Sequence, residues 1–359
     1  MKKNIFYFFS IFLFLFIFLI IDLSLSNTIL NYKNCFKYEQ YYYELKKNCK
    51  ESYRFKKTFP IVETITDELG LRVGNKSPLK TKDNENIFIF GDSFTYGVGL
   101  EYEKTFVGLI EKKIKNQNIF NFGVGSYSPS VYLYKLKKKL KEGVVPDKII
   151  LFLDLTDVLD EASRWDYNDE LNIVKLKTNE VYKRSLEKEK FFKRNFKVST
   201  NLFSYLNFHL RTFRDKVKIK IKDERKIKTS IQGSFTYTEP ELLDKRFWKS
   251  DTLSLGIAKL ENRLNKISNI SKKVNSDFYI VIYPWAETLE FGQEKFNWSE
   301  FTKKMCIKID CKVIDAIPEF QLYKDQNANW SNELYFLNDE HFNKKGAFLL
   351  SEKVIKNIN

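Results

Sequence analysis

Short apolar runs of strand length punctuate the chain. IFIF at residues 87–90, IFNF at 119–122, KIILFL at 148–153 and DFYIVIYP at 277–284 are nearly free of polar positions, so they predict strands buried within a sheet. Residues 102–114 place Phe106, Leu109, Ile110 and Ile114 at helical spacing, and 131–140 repeat that periodicity before the third run. Three strands spaced about 30 residues apart, with helices between them, predict a parallel sheet with right-handed crossovers. The rhythm stops over about 160–250, a charged stretch with few long apolar runs that reads as an insertion or cap. It resumes with a helix over 253–267, a further helix-like segment at 301–309, a short strand at 311–314 and a closing helix over 346–358. The expected fold is α/β, a three-layer α/β/α sandwich on a mostly parallel sheet spanning 85–359. Residues 23–84 read as a membrane-proximal segment with loops at 65–74 and 77–86 around a small element.

The amino-terminal pattern is different in kind. After Lys2 and Lys3 comes an uncharged run over residues 5–21, with Phe and Leu on every helical face. As a helix it reaches about 26 Å, inside the usual range for crossing a bilayer. It is longer than a secretory core and is followed by IDLSLSNTIL without an Ala-x-Ala cleavage site, which favours an uncleaved anchor over a signal peptide. Residues 1–22 are therefore expected to hold the chain in the cytoplasmic membrane by a single pass. The lysines at the amino terminus place the body in the periplasm or outside the cell. Four cysteines fit export: the neighbours Cys35 and Cys49, and Cys306 and Cys311, are expected to form two local disulfides. The spacings and the scarcity of histidine speak against a metal site, and no cofactor is expected.

The net charge of +15 would suggest a nucleic-acid partner in a cytoplasmic protein, but export removes that partner. Concentrations of lysine at KLKKKLK (135–141) and over 214–228 are open to two readings, a solvated face or a surface attracting anionic lipid head groups or acidic glycans.

The chemistry begins where the first buried strand ends. Gly91-Asp92-Ser93 stops it, Gly91 permitting a tight turn, and sets Ser93 at the carboxyl edge of the sheet, where open α/β folds bind ligands. A serine nucleophile needs a base held in one tautomer by a carboxylate. The chain has two histidines: His209 lies in an aromatic segment with no carboxylate nearby, whereas His341 follows Asp339 by two residues.

GDSFTYG (91–97), NFGVGSYSP (121–129) and DEHFNKKG (339–346) together resemble the SGNH hydrolases, also called the GDSL esterase and lipase superfamily. The likeness is strongest to exported, membrane-associated members that move or remove acetyl groups on polysaccharides, including alginate acetyltransferase relatives, and it covers about 85–158 and 275–357. It implies Ser93 as nucleophile, His341 as base and Asp339 as the orienting carboxylate. It also implies an oxyanion site built from the amides of Ser93 and Ser126 and, where that family carries an asparagine, the Thr156 hydroxyl. The expected function is O-acyl (acetyl) ester hydrolysis or O-acetyl transfer on an O-acylated, anionic envelope or extracellular polysaccharide; transfer would draw on a membrane-bound acyl donor protein. Trp165, Tyr167, Tyr237 and Trp248 are candidates for stacking on sugar faces, with packing in the insertion's own core as the other reading. Two other classes stay open, a glycan-binding or assembly protein that has lost turnover and a membrane-bound scaffold, with lipid esterase as the other catalytic reading.

Overall fold

The computed structural model describes residues 2–28, 35–39, 41–56, 58–177 and 232–358. Helix α1 (Lys2–Thr28) belongs to a different compact unit from the body, which comprises residues 35–177 and 225–359. Its Phe6–Leu25 segment, 20 residues of mean hydropathy 2.7, is long and apolar enough to serve as a membrane anchor or a signal sequence.

Two small antiparallel sheets open the body. Strands β1 (Phe36–Tyr38) and β2 (Tyr43–Leu45) form a hairpin, and β3 (Lys50–Tyr53), β4 (Val62–Thr66) and β5 (Arg72–Val73) form a three-stranded sheet. The Cys35–Cys49 disulfide joins the residue before β1 to the residue before β3, Cα atoms 5.6 Å apart. Arg72 is fully buried and donates to the carbonyls of Tyr96, Gly97 and Leu100, so β5 holds the loop that follows Ser93.

The central sheet contains β6 (Glu85–Phe90), β7 (Gln117–Asn121), β8 (Lys148–Leu153), β11 (Asp277–Ile282) and β12 (Lys312–Asp315) in the spatial order β12-β11-β8-β6-β7. Strands β9 (Trp165–Asn168) and β10 (Ile173–Leu176) form a separate pair outside it. Every pairing in this sheet is parallel. In order of appearance the strands run 2-1-3-4-5, the flavodoxin-like arrangement, which reverses direction between β6 and β8. The three-layer α/β/α fold is thus the one the apolar runs imply. Residues 149–153 and 87–90 are all buried, and Phe90 stacks on Phe122 with centroids 4.8 Å apart.

Helices cover the sheet in two groups. In one, α4 (Pro129–Lys141), α5 (Thr156–Ser163) and α6 (Thr252–Lys273) pack together; in the other, α3 (Phe106–Lys113) packs on the closing helix α11 (Lys344–Ile358). The short α2 (Ser93–Tyr96) lies between β6 and α3, and α7 (Ala286–Phe291), α8 (Trp298–Ile309), α9 (Ile317–Gln326) and α10 (Trp330–Leu334) follow α6 in the chain. Helix α6 buries Leu260, Leu264 and Ile267, one stripe at i, i+4 and i+7, each side chain contributing about 1.5–3 kcal/mol of apolar burial. The Cys306–Cys311 disulfide clips the end of α8 to the approach to β12, Cα atoms 4.6 Å apart.

Two details differ from the periodicity. The helix read over 102–114 is divided, a 3-10 turn at Tyr102–Lys104 and then α3, because the Thr105 side chain accepts from the Gly108 amide and caps a new start. At the expected onset of the insertion the chain instead continues α5 to Ser163 and then forms the hairpin β9 (Trp165–Asn168) and β10 (Ile173–Leu176). His209 lies outside the described residues.

Candidate active site

Gly91 ends β6 at a place with no room for a side chain: a Cβ there would lie 1.9 Å from Thr95 Oγ1 and 3.3 Å from Phe152 Cβ. Asp92 caps α2 by accepting from the Phe94 amide at 2.9 Å, and Gly97 closes that turn with φ +80. Ser93 is thereby set at the β6/β8 switch point, on the rim of a cavity of about 410 Å³.

The base comes from the far end of the chain. Tyr335 and Phe342 form an antiparallel bridge, and the Phe336 amide donates to the His341 carbonyl at 2.9 Å, so residues 336–341 form a closed loop. The loop carries both Asp339 and His341. His341 Nε2 lies 2.8 Å from Ser93 Oγ, and Nδ1 lies 2.5 Å from Asp339 Oδ1, which also accepts the His341 amide at 3.0 Å. The imidazole is 4% exposed, stacked on Phe94 at 4.8 Å and met edge-on by Phe55 at 5.5 Å. With Nδ1–H directed to the carboxylate, Nε2 is left with a lone pair facing the serine hydroxyl.

Asp339 is also held by a cation that sequence reading did not find. Lys56 Nζ pairs with Asp339 Oδ2. Burial pushes the Asp339 carboxyl up, but hydrogen bonds and charge from His341 and the bond from Lys56 outweigh it, so Asp339 sits below its ordinary value as a carboxylate. Asp339, Glu340 and His341 bring three possible metal-ligand atoms within 4.8 Å of one another. Asp339 and His341 already spend those atoms on each other, and Lys56 supplies the positive charge beside the carboxylate.

Ser126 lies on the loop after β7, beside the serine: a Cβ on Gly125 would sit 3.8 Å from Ser93 Cβ. Ser126 has φ 58, a left-handed conformation uncommon for a residue with a side chain. Three bonds hold it there. Trp165 Nε1 donates to the Ser126 carbonyl at 2.7 Å, Tyr43 donates to the Gly125 carbonyl at 2.7 Å, and the Tyr127 hydroxyl donates to the Tyr43 carbonyl. Glu161, fully buried, secures the next residues by accepting from Ser128 Oγ, the Ser130 amide and Ser130 Oγ at 2.5, 2.7 and 2.8 Å. The amides of Ser93 and Ser126 have no hydrogen-bond partner among the described residues.

Thr156 also lines the cavity, but its hydroxyl donates to Asp154 Oδ1 at 2.6 Å and its amide to the same oxygen at 2.8 Å. In this geometry its proton is spent within the loop rather than offered to a ligand. Asp154 also accepts from Trp285 Nε1 at 2.8 Å. Beneath the serine, burial and then the neighbouring Asp154 charge push Asp92 well above its ordinary value. Burial first, then Asp92, does the same to Asp157.

The four aromatics expected to stack on sugars do not line the cavity. Trp165 is fully buried and serves the Ser126 carbonyl; Tyr167 lies under Lys137 and Arg263 with its hydroxyl on Asn172. Trp248 packs on Phe235 at 5.3 Å, and Tyr237 packs on Phe291 at 5.1 Å and donates to Glu287. They are packing residues. The cavity's aromatic lining is Phe36, Tyr53, Phe55, Phe94, Tyr96 and Trp285, three of them from the segment before the central sheet.

Residues 1–296 match the model of a family described as Protein of unknown function (DUF1574). The chain belongs to that family. The matched residues include Ser93 and end before Asp339 and His341. No curated protein matches the chain. Among solved structures it is similar to a member of the lipolytic protein G-D-S-L family from Veillonella parvula, at 14% identity over 76% of this chain and 98% of that one, TM-score 0.40. A lipolytic G-D-S-L protein from Desulfitobacterium hafniense is similar at 10% identity over 76% and 99%, TM-score 0.39. A catalytic mutant of the Geobacillus stearothermophilus acetylxylan esterase Axe2 is similar at 10% over 77% and 95%, TM-score 0.40.

Proposed function

We propose that this protein is a serine esterase or acyltransferase acting on O-acylated, chiefly O-acetylated, carbohydrate of the cell envelope. The observation that supports it is the continuous chain of contacts from Ser93 Oγ through His341 to Asp339, at 2.8 and 2.5 Å, on the rim of a cavity with two unpartnered amides. Ser93 Oγ attacks the ester carbonyl while its proton passes to His341 Nε2, and Asp339 stabilises the imidazolium. The tetrahedral oxyanion takes hydrogen bonds from the amides of Ser93 and Ser126. Collapse expels the sugar oxygen, which takes the proton back from His341, leaving an acyl-serine. Water or a second sugar hydroxyl, deprotonated by His341, then releases the acyl group and restores Ser93.

The full-length chain in detergent should be treated with a serine-directed fluorophosphonate and its peptides weighed. Label on Ser93, lost in Ser93→Ala and strongly slowed in His341→Ala, is the expected result; a folded protein that leaves Ser93 unmodified defeats the reading.

A second reading, a glycan-binding protein with little turnover, draws on Thr156. With its hydroxyl given to Asp154, the oxyanion would have two donors, and loss of one donor costs about 3–4 kcal/mol in a serine hydrolase. Rapid acetate release from O-acetylated envelope glycan excludes that reading. Labelling of Ser93 without measurable release favours it.

A further inference from the structure

Arg54 is the cation of the cavity wall that the acyl chemistry leaves unused. It follows β3 directly and lines the same cavity as Ser93, Ser126 and His341. Its guanidinium makes no hydrogen bond or ion pair among the described residues, and its Nε is shut off from solvent without a partner. Three carboxyl groups share the cavity and none takes it: Asp92 accepts from the Phe94 amide, Asp160 pairs with Arg164 at 2.7 Å, and Glu340 is turned toward His341 Nδ1, 3.9 Å away. Arg72 also leaves its Nε without a partner, but it spends both Nη nitrogens on the carbonyls of Tyr96, Gly97 and Leu100, whereas the Nη nitrogens of Arg54 donate to nothing among the described residues.

A guanidinium on a cavity wall whose Nη donors meet no protein acceptor is open to a ligand, and its planar fork suits two oxygens of one anion. The reacting oxyanion does not need it, because the amides of Ser93 and Ser126 are already free for that role. We propose that Arg54 forms an anion subsite next to the acyl-transfer centre, so that the preferred substrate is an O-acyl sugar bearing an oxyanion, a carboxylate or a phosphate, on the same or the adjoining residue. This rests on the esterase reading for its reaction but not for its binding step.

The test separates the two. With full-length protein in detergent, release of acetate is followed from methyl O-acetylglucuronoside, from its neutral methyl ester, from O-acetylglucose 6-phosphate and from 4-nitrophenyl acetate. Wild type should favour the anionic sugars, the carboxylate and phosphate arms ranking the two sources. Arg54→Met should raise KM for the favoured anion by about 10- to 100-fold, the range of a hydrogen bond to a charged group. Arg54→Lys should recover part of the loss, the loss on 4-nitrophenyl acetate should be several-fold smaller than on the anion, and an unchanged circular-dichroism spectrum checks folding. Equal losses on neutral and anionic esters, or no wild-type preference for the anions, overturn the subsite. Calorimetric titration with glucuronate, glucose 6-phosphate and glucose gives an answer without turnover. Arg54-dependent binding of an anion upholds the subsite even if Ser93 proves unreactive, and no wild-type binding of either anion overturns it.

Discussion

Lys56 supports the proposed Ser93–His341–Asp339 triad from outside the cavity lining. It holds the Asp339 oxygen that His341 does not use, so each oxygen of the carboxylate has its own partner. In Lys56→Met the carboxylate loses its outer anchor and holds the imidazole less firmly, so kcat should fall several-fold with KM little changed. Lys56→Arg should restore kcat. A kcat that does not change in Lys56→Met would reduce Lys56 to a surface ion pair of small worth. Of the site residues, Ser93, Asp339 and His341 were legible because each sits in a short local signature, a strand ending in Gly-Asp-Ser and a lone Asp-x-His. Lys56, Arg54 and the role of Trp165 were not: Lys56 and Trp165 act across the fold on partners 283 and 39 positions away, and Arg54 reaches the cavity only through the folding of the segment before the central sheet.

At the scale of elements, burial decided what could be read. Four of the five parallel strands are built round apolar runs, the edge strand β12 (KVID) having only Val313 and Ile314, and all five were found within two or three residues; α4, α6, α8 and α11 followed from their apolar stripes. Strands β1 to β5, of two to five residues with mixed patterning, were seen only as a connecting segment. Their order comes from tertiary bonds, such as Arg72 to the 96–100 loop and Tyr43 to Gly125, and from the Cys35–Cys49 staple. These small sheets supply Phe36, Tyr53, Arg54 and Phe55 to the cavity. Opening the staple with Cys35→Ser and Cys49→Ser should therefore raise KM and lower the melting temperature, since a loop of this length contributes about 3 kcal/mol in the chain-entropy picture. The matching change at Cys306 and Cys311, away from the cavity wall, should leave KM where it was. Kinetics on both variants, with equal effects on KM, would detach the staple from the site.

For the molecule as a whole, the carboxyls beneath the site set a pH dependence of stability. Burial, opposed by Arg164, raises Asp160 from 3.8 to about 6, and burial also raises Asp92, Asp154 and Asp157. A carboxyl whose folded value is raised stabilises the fold fully below its unfolded value and loses that contribution as the pH climbs through the folded one. Asp339 and Glu44, held low by cations, act in the opposite sense but only in more acidic solution. The melting temperature should thus fall as the pH is raised from about 4.5 to about 7, and Asp160→Asn should flatten that slope, by an amount equivalent to at most about 3 kcal/mol. Thermal melts across the range check the sign; a melting temperature that rises with pH in wild type contradicts it.

The span between the proposed nucleophile and its proposed base has a consequence for how activity would appear in time. Ser93 and His341 are 248 positions apart, whereas the first strand pairs join segments only some tens of residues apart. Long-range closure is the slow part of assembling such a topology. A chain that has formed β6, β7 and β8 holds its serine beside no base, so it is chemically silent while it is still incomplete. In refolding, fluorophosphonate labelling of Ser93 should lag behind the return of helical and strand signal, and the lag measures the docking of the 336–341 loop.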